Sequence, residues 1–565
     1  MTFSVSGSAD RAAAGEIRRL VPRASTGPRH WVKLWLRIQA DALRFDPLGY
    51  LQAVAWRARG LRVRSKNRIA GLAGRSPWAY PFWIARREPR TDGTGQDRRD
   101  EDLPVIQTII DCSNGSDGIR ETLASLPEGA RPIVVGGQAI GDVLHIRSID
   151  ELARHIDAPE FWLCPIPCGD RLATGALHAY AVAVAGAGDL NAVYGDDDLL
   201  DGNGARVDPH FKPDWNPELF EHHDFVTGAS VIKVREEQLS DLPKHEWATA
   251  LVDEAVNRGP APVHLPFVLH HRRQRPQPIV PEKPAEVSLR REWPSVTVII
   301  PTRNRADLLR KCIEGVRQTR YPRMDVIVVD NESDDPEAIA FLAEVKAGGA
   351  EVIPVAGEFN FSRLNNIAVG CAKGELLCFL NNDVEMPEPD WLKLLVRQAL
   401  RPGIGAVGAR LLYPDGTVQH AGVFTGIGGG AAHAHRFVSK DEGGYFERAR
   451  LPQRVSAVTG ACLAVSREKF LAVGGFDEEN FPVAFNDVDL CLKLNERGWQ
   501  SFYEPRATLI HHESKSRGSD RHKANRARFA EELAALKRKW RTDERPDPFH
   551  HPHLSPFCEQ FLIAV

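Results

Sequence analysis

The sequence predicts an α/β protein built from two related units, each with a mostly parallel, helix-covered sheet, and helical extensions at both ends of the chain. Apolar runs of strand length, such as VIQTIID and SVTVIIPT, alternate with stretches of helical periodicity such as ADLLRKCIEGVRQ. This alternation is typical of parallel sheets with helices on their faces. The chain also repeats itself, because VTGASVIKVREE at 226–237 recurs as VTGACLAVSREK at 458–469.

The composition is that of a folded globular protein. The chain has 565 residues, of which 43% are hydrophobic and 26% charged, and this excludes a collagenous or disordered chain. A net charge of −3 gives no basic excess of the kind that nucleic-acid-binding proteins carry. Nine scattered cysteines without a C-x-x-C pair indicate reduced thiols. With no signal-peptide pattern and no membrane-length apolar run, we expect a cytoplasmic protein, with peripheral contact at the inner face of the cytoplasmic membrane as an open alternative.

Shifts in composition divide the chain into five regions. We expect a basic, tryptophan-containing helical extension at 1–102, a first α/β unit at 103–275, a Pro-rich linker at 276–293, a second α/β unit at 294–520, and an amphipathic helix with a tail at 521–565. Residues 1–100 hold 20 Lys and Arg against 8 Asp and Glu. Such a segment docks on anionic lipid headgroups or nucleic acid, or it is a helical extension with a solvated basic face; both interpretations stay open.

Polar residues end the apolar runs of the second unit. Pro301 and Thr302 follow the first run, Asp330 ends the second, and Asn382 and Asp383 follow the third. Ligands of open α/β sheets bind at the carboxyl ends of the strands. We therefore expect the functional site of the second unit at these residues.

The second unit resembles a family 2 glycosyltransferase with the GT-A fold. The matching stretches between 295 and 520 are VIIPTRNR, VIVVDNES, FNFSRLNNIAVGCAKGELLCFLNNDVE, VTGAC, VGGFDE, FNDVDLCLKLNERGW and LIHHESKSRG. They are similar to the subgroup that builds rhamnose-containing and related bacterial surface polysaccharides. The resemblance implies a metal-dependent, inverting transfer of a sugar from a nucleotide-sugar donor, with dTDP- or UDP-sugars favoured. The implied acceptor is a glycan or a lipid-linked glycan.

The resemblance also implies a metal site. Asp383 matches the metal-binding aspartate of the family's Asp-x-Asp motif, which appears here as Asn381-Asn382-Asp383. His511 or His512 matches the second ligand, and strand alternation sends the two side chains to opposite faces, which favours His511. The cofactor is Mn²⁺ or Mg²⁺, and an imidazole ligand suits Mn²⁺ better. The alternative for Asp383 is a capping residue at a turn.

The remaining site residues follow from the same match. Asp487 corresponds to the catalytic base that takes the acceptor's proton, at the first turn of a helix; the alternative is a carboxylate placed there by the helix dipole. The predicted substrate-binding residues are Pro301, Thr302 and Asp330 at the nucleoside, Arg363 and Asn366 at the diphosphate, and Asn382. Glycines at 426 and 428–430 suggest a mobile loop beside the donor.

The first unit resembles the same fold in a degenerate form. It is 22 residues shorter where the second unit has NFSRLNN, and an ungapped alignment places Ala248 at the position of Asp487. We expect Asp196, Asp197 and Asp198 to form a turn rather than a second metal site. The expected role is scaffolding or acceptor handling, with Trp162, Trp215, Tyr194 and Phe211 either stacking on sugars or lying in the core. A bifunctional enzyme and a non-catalytic binding scaffold remain the alternatives for the whole chain.

The C-terminal region contains an amphipathic pattern and a proline-rich tail. Phe529, Leu533, Leu536 and Trp540 recur at helical spacing, which predicts a helix that packs on the catalytic unit or touches a membrane. We expect the tail, with His550, His551 and His553 among prolines, to be extended rather than to bind metal.

Overall fold

The computed structural model describes residues 28–89, 103–186, 188–288, 292–513 and 523–565. It confirms the predicted fold class, because two α/β units are flanked by helical extensions. The N-terminal extension consists of α1 (Pro28–Phe45), α2 (Pro47–Ala58), α3 (Arg62–Ala73) and α4 (Ala79–Arg86). The Asp46 side chain caps α2 by accepting a hydrogen bond from the Gly49 amide at 2.8 Å. Among the helices described here, none has the length and apolar character needed to cross a bilayer.

The first unit alternates strands and helices around one sheet. Its elements are β1 (Ile106–Asp111), α5 (Ile119–Ser125), β2 (Ile133–Val135), β3 (Leu144–Ile146), a 3-10 helix (Ile149–Arg154), β4 (Glu160–Pro167), β5 (Arg171–Leu172), α6 (Ala176–Gly186), β6 (Ala192–Leu200), β7 (Arg206–His210), α7 (Pro217–Phe220), β8 (Ser230–Arg235), a 3-10 helix (Glu236–Asp241), α8 (Trp247–Arg258) and β9 (Val263–Arg272).

The second unit follows the same plan with additions. Its elements are β10 (Val296–Thr302), α9 (Ala306–Gln318), β11 (Met324–Asp330), α10 (Pro336–Ala347), β12 (Glu351–Pro354), α11 (Phe361–Cys371), β13 (Leu376–Leu380), β14 (Val384–Glu385), α12 (Trp391–Ala399), β15 (Ile404–Leu412), β16 (Val418–His420), β17 (Val423–Thr425), β18 (Ala431–His433), β19 (Gln453–Val455), β20 (Cys462–Ser466), α13 (Arg467–Ala472), α14 (Asn486–Glu496) and β21 (Gln500–His511). Short 3-10 turns lie at Ile427–Gly429 and Tyr445–Glu447, and α15 (Lys523–Trp540) follows the unit.

The two sheets have the same strand order, element for element. The first runs β3-β2-β1-β4-β8-β6-β9-β5 and the second β12-β11-β10-β13-β20-β15-β21-β14. In each sheet, one antiparallel strand, β8 or β20, lies between parallel strands. The sequence repeat therefore corresponds to a structural repeat. The main differences lie between β2 and β4: α10 has no counterpart among the elements described between β2 and β3, and α11 has only the short 3-10 helix Ile149–Arg154 in its place.

The acidic trio of the first unit is not a turn, contrary to the sequence-based expectation. Asp196, Asp197 and Asp198 lie inside β6 and are at most 1% exposed. Each carboxylate faces cationic or imidazole groups from distant parts of the chain: Asp196 faces His264 and His551, Asp197 faces Lys212, Arg272 and Arg275, and Asp198 faces Arg206 and His271. Burial of charged groups in a strand is feasible only with such partners.

The C-terminal tail is irregular but buried. His550 and His551 are 7% and 3% exposed, so the tail is packed rather than solvated. Trp83 of α4 lies with its ring centroid 4.9 Å from both Phe211 of the first unit and His553 of the tail. Phe211 and Tyr194 are thus core residues and not exposed stacking platforms. This aromatic contact joins the N-terminal helices, the first unit and the tail.

We predict that Trp83→Ala destabilises the protein by about 3–5 kcal/mol, because it removes a fully buried ring and leaves a cavity between three segments. Urea denaturation followed by circular dichroism measures the change. The matched control is Trp35→Ala, whose ring is 43% exposed and should cost less than about 1 kcal/mol. Equal effects of the two substitutions would contradict the aromatic contact as a joining element.

Candidate active site

A cavity of about 660 Å³ opens at the carboxyl ends of β10 and β13, a volume typical of small-molecule sites. Its walls come from strand ends, the first turn of α14, the β17–β18 hairpin and α15. The lining residues are Pro301, Thr302, Arg303, Asn304, Arg305, Phe359, Phe361, Asn381, Asn382, Gln419, Val423, Ala431, His433, Thr459, Gly460, Ala461, Val483, Ala484, Phe485, Asn486, Asp487, Val488, His511, Glu513 and Arg528.

The floor of the cavity is a hydrogen-bonded pair of strand ends. The Asn382 amide Nδ2 donates to the Thr302 hydroxyl at 2.8 Å, and both side chains are buried. This bond links the ends of the neighbouring strands β10 and β13. Pro301, Thr302 and Asn382, three of the predicted substrate-binding residues, thus share one surface of the cavity.

Asp487 lies in the first turn of α14, where the sequence pattern places it. Leu490 and Leu494 on the same helix are fully buried, and Asn486, Asp487 and Val488 of its first turn line the cavity. The Asp487 carboxylate accepts the backbone amides of Gly460 and Val488, each at 2.8 Å. Burial raises the pKa of this carboxyl, with the two amide hydrogen bonds acting in the opposite direction. A half-buried, oriented carboxylate with a raised pKa is suited to accept a proton.

Asp383 and His511 lie together beside the cavity. The His511 Nε2 atom is 3.0 Å from Asp383 Oδ1, and its Nδ1 atom is 3.0 Å from Gln419 Oε1. The Gln419 amide nitrogen donates to Glu513 at 3.1 Å, which fixes the orientation of that amide. If Nδ1 carries the proton that Gln419 accepts, the Nε2 lone pair and a carboxylate oxygen face each other. That arrangement fits a shared cation.

His512 points to the other side of the strand. Its Nε2 atom is 2.7 Å from Glu385 Oε1, away from Asp383. The pairing of β14 with β21 places Val384 opposite His511 and so brings the adjacent Asp383 beside that histidine. The alternation expected from the sequence therefore separates the two imidazoles.

Three predicted substrate-binding residues lie outside the cavity lining. Asp330 ends β11 and accepts hydrogen bonds from the amide and the hydroxyl of Ser333, at 3.1 and 2.5 Å. The Arg363 side chain is exposed at the start of α11. The Asn366 side chain makes two hydrogen bonds to the backbone of Phe476. Its Nδ2 donates to the Phe476 carbonyl at 2.9 Å, and its Oδ1 accepts from the Phe476 amide at 3.0 Å. Asn366 therefore holds α11 against the loop that precedes α14.

The cavity also contains residues that sequence reasoning did not select. Arg303 and Arg305 belong to the VIIPTRNR stretch, in which the sequence predicts only the preceding proline and threonine as substrate-binding residues. The Arg305 side chain is paired with Asp307. Arg528 comes from α15, whose amphipathic pattern predicts packing on the second unit but does not select this arginine for the cavity. His433 lines the hairpin wall, and burial lowers its pKa to about 4.

Three of the twelve described non-glycine residues with a positive φ lie at the rim of this cavity. Asn304, Arg305 and Phe485 line it, and each has a positive φ between 55° and 59°. Such conformations are uncommon for residues other than glycine and cluster at functional sites. The turn after β10 and the turn before α14 are thus both held in specific shapes by their surroundings.

The equivalent positions of the first unit are arranged differently. The β5–β9 pairing sets Arg171 opposite His271, just as Val384 lies opposite His511, so Asp170 and His271 correspond to Asp383 and His511. Asp170 instead accepts the Arg273 amide at 2.7 Å, and burial raises its pKa to about 6. His271 lies 2.7 Å from Asp198. Ala248 occupies the second position of α8, as Asp487 does in α14.

The ligand atoms of Asp196, His264 and His551 lie within 4.8 Å of one another, but the tautomer of His551 disfavours a metal ion among them. His551 Nδ1 accepts the His553 amide at 3.0 Å, so its Nε2 atom carries a proton and faces Asp196 at 2.8 Å. A protonated nitrogen cannot ligate a metal. Both nitrogens of His264 face carboxylates; burial alone would lower the pKa of His264, but Asp196 outweighs it and raises that pKa.

Comparison with known proteins extends this description. Residues 297–471 match the family described as glycosyl transferase family 2. The uncharacterised protein y4gI of Sinorhizobium fredii is 36% identical over 66% of this chain and 46% of its own length. The O-antigen biosynthesis protein RfbC of Myxococcus xanthus is 32% identical over 84% of this chain and 42% of its own length. The chain therefore spans less than half the length of these two relatives.

A solved structure is also similar. The mannosyltransferase PcManGT from Pyrobaculum calidifontis, determined with GDP-Man and Mn²⁺, has a TM-score of 0.34 and 24% identity over 48% of this chain and 71% of its own. The family match covers β10 through α13, which contain Pro301, Thr302, Asn382 and Asp383. The chain thus carries, in its second unit, a domain that belongs to glycosyl transferase family 2.

Proposed function

We propose that the second unit is a metal-dependent, inverting glycosyltransferase. It transfers a sugar from a nucleotide-sugar donor, a dTDP- or UDP-sugar, to a bacterial polysaccharide or a lipid-linked glycan. The observation that carries this proposal is a single cavity that combines an oriented carboxylate at Asp487, the strand-end residues Thr302 and Asn382, and the adjoining Asp383–His511 pair. The family match and the similarity to an O-antigen biosynthesis protein support the substrate class.

Asp487 is the proposed catalytic base. The acceptor hydroxyl loses its proton as its oxygen attacks the anomeric carbon, and the Asp487 carboxylate takes that proton. Its two backbone amide donors, from Gly460 and Val488, fix the direction of the carboxylate without neutralising it. The raised pKa makes it a better proton acceptor than an exposed aspartate. A single displacement of this kind inverts the anomeric configuration.

Asp383 and His511 are the proposed ligands of a divalent cation, Mn²⁺ or Mg²⁺. The imidazole nitrogen favours Mn²⁺, because Mg²⁺ prefers ligands that are all oxygen. When bound, the ion supplies positive charge that stabilises the departing nucleoside diphosphate. Gln419 contacts the His511 Nδ1 atom and is itself hydrogen-bonded to Glu513. Such partners commonly fix the orientation of a metal-binding histidine.

The donor is proposed to lie along the strand ends. Pro301 and Thr302 end β10, and Asp330 is the register partner of Thr302 on β11, so these three residues form one edge for the nucleoside. Asn382 joins them through its bond to Thr302. Arg363 and Asn366 stay assigned to the diphosphate side, where Asn366 acts by positioning the loop at Phe476. Arg303 and Arg528 add cationic side chains to the same cavity.

The first unit is proposed to be a scaffold without its own turnover. Asp170 and His271, its counterparts of Asp383 and His511, do not face each other. Asp170 accepts a hydrogen bond from the Arg273 amide, and the His271 ring contacts Asp198. Its counterpart of the base is Ala248, which has no titratable group. These contacts favour one active site over the bifunctional alternative.

We predict that Asp487→Asn lowers kcat at least about 10³-fold while nucleotide binding is retained, because the amide is nearly isosteric but cannot accept the acceptor's proton. Transfer of radiolabelled sugar measures kcat, and calorimetric titration measures nucleotide affinity. Glu496→Gln is the matched control, since it makes the same chemical change at an exposed position of the same helix. Turnover retained in Asp487→Asn would refute its role as the base.

The raised pKa of Asp487 predicts a pH dependence. The base must be deprotonated, so kcat/KM should fall tenfold per pH unit below its pKa, and this limb should begin above the value of about 4 usual for aspartate. A tenfold increase in metal concentration should leave the limb unchanged, because metal does not compete for the proton on Asp487. If the acidic limb of the pH profile shifts with metal concentration, the titrating groups are the metal ligands and not Asp487.

A fourth prediction distinguishes the two histidines without an activity assay. Thermal melts with UDP, dTDP, GDP and CDP, each with and without Mn²⁺, should show a metal-dependent stabilisation with UDP or dTDP. At 100 times the dissociation constant its size is about 2.7 kcal/mol. Asp383→Ala and His511→Ala should abolish the metal-dependent part, whereas His512→Ala, whose side chain contacts Glu385, should keep it. Loss of the shift in His512→Ala alone would reverse the ligand assignment.

A further inference from the structure

The N-terminal helices expose a second apolar face. On α1, Leu34, Ile38 and Ala42 recur every four residues and are buried against the rest of the protein. The same helix carries Val32, Leu36 and Leu43 on a different side, where 38%, 56% and 40% of each side chain is exposed. A soluble helix needs only one apolar face for packing. Packing among the residues that the structure describes therefore does not explain the second face of α1.

The next helix continues this pattern. Leu48 and Leu51 of α2 are 81% and 58% exposed, and Ala55 and Ala58 follow them on the same side of the helix. Only Asp46 separates α1 from α2. Val54, 46% exposed, lies next to Leu51 around the same helix. We call the six residues Val32, Leu36, Leu43, Leu48, Leu51 and Val54 the exposed apolar face.

The segment that carries the exposed apolar face is strongly basic. Residues 28–75 contain 11 Lys and Arg against 2 Asp, although the whole chain has a net charge of −3. Asp46 is paired with Arg68, and Asp41 accepts the Ser76 hydroxyl at 2.7 Å. The exposed cationic residues in this segment include Lys33, Arg37, Arg44, Arg57, Arg59, Arg62, Arg64 and Lys66.

Two tryptophans lie among these side chains. Trp35 is 43% exposed and Trp78 is 36% exposed, and the Arg37 guanidinium lies 4.4 Å from the centre of the Trp78 ring. Tryptophan, with an apolar ring and a polar N–H, is enriched where a protein meets the headgroup region of a bilayer. Leucine, tryptophan and arginine thus occur together, as in helices that lie in a membrane interface.

We propose that the exposed apolar face docks on the surface of a bilayer that contains anionic lipids. The leucines enter the boundary between headgroups and acyl chains, and the surrounding Lys and Arg contact the lipid phosphates. Nucleic acid would satisfy the charge but offers no environment for exposed Leu36, Leu48 and Leu51. A second copy of the chain would bring two strongly basic surfaces together, which charge repulsion opposes. The proposal does not depend on the glycosyltransferase activity.

Vesicle flotation with the full-length protein tests this docking. The vesicles are phosphatidylcholine alone or phosphatidylcholine with 30% phosphatidylglycerol, the latter fraction being about that of an anionic membrane leaflet. The protein should float with the anionic vesicles and not with the neutral ones, and raising the salt concentration should weaken binding. The double substitution Leu48→Ser/Leu51→Ser should reduce the partition coefficient at least about tenfold, because both side chains would otherwise leave water.

Matched variants separate docking from general surface effects. Ile279→Ser/Ile339→Ser removes two comparably exposed aliphatic side chains, 74% and 51% exposed, elsewhere and should leave binding unchanged. Arg59→Glu/Arg62→Glu should reduce partitioning by at least about 25-fold, from roughly fivefold for each charge removed, whereas Arg120→Glu/Arg147→Glu in the first unit should not. Because the leucines and arginines replaced are exposed, the fold should be retained, and circular dichroism verifies this.

Three results would overturn the proposal. The first is no flotation of the full chain with anionic vesicles. The second is a dimer in analytical ultracentrifugation that dissociates in Leu48→Ser/Leu51→Ser, which would assign the face to self-association. The third is tight, salt-dependent binding of a DNA or RNA duplex that prevents flotation and is unaffected by Leu48→Ser/Leu51→Ser, which would assign the basic surface to nucleic acid.

Discussion

The assembly of this chain depends on the buried carboxylates of β6. Asp196, Asp197 and Asp198 lie in the interior of the protein, where an unpaired charge would be strongly destabilising. Their partners come from four places: Tyr80 in α4, Lys212 and Arg206 around β7, the end of β9 and the segment after it, and His551 in the tail. Displacing any of these segments would remove a hydrogen bond or an ion pair from a buried carboxylate. The constraint therefore makes the N-terminal helices, the first unit and the tail one structural body.

The C-terminal region connects these segments to the cavity of the second unit. Glu532 of α15 accepts the backbone amides of Val483 and Ala484, immediately before the strained Phe485 that precedes α14. Asp547 accepts the Thr425 amide at 2.6 Å and so holds the β17–β18 hairpin. The turn that presents Asp487 and the hairpin wall are thus both held by residues beyond the family 2 match. The shape of the cavity is a property of the whole chain.

The sequence predicts those parts of the site whose signals are local. The strand ends at Thr302 and Asn382, the helix register of Asp487 and the alternation of His511 and His512 all follow from periodicity or from a recognisable stretch. The two-unit fold is predictable for the same reason, since each unit repeats one order of strands and helices. Arg528 in the cavity wall could not be found in this way, because its placement depends on the packing of a helix that follows the unit. The β6 carboxylates resemble a turn in sequence, because their charged partners lie far along the chain.

The two units have the same fold but arrange the side chains at equivalent positions differently. Their sheets have the same strand order, and each places an aspartate and a histidine at the same paired strands. What differs is the partner of each side chain. In the second unit Asp383 and His511 face one another, whereas in the first unit Asp170 turns to the Arg273 amide and His271 to Asp198. Asp198, which contacts His271, is itself one of the buried carboxylates of β6. In the first unit, therefore, the Asp198 carboxylate contacts both Arg206 of the buried network and His271, whose counterpart in the second unit faces Asp383.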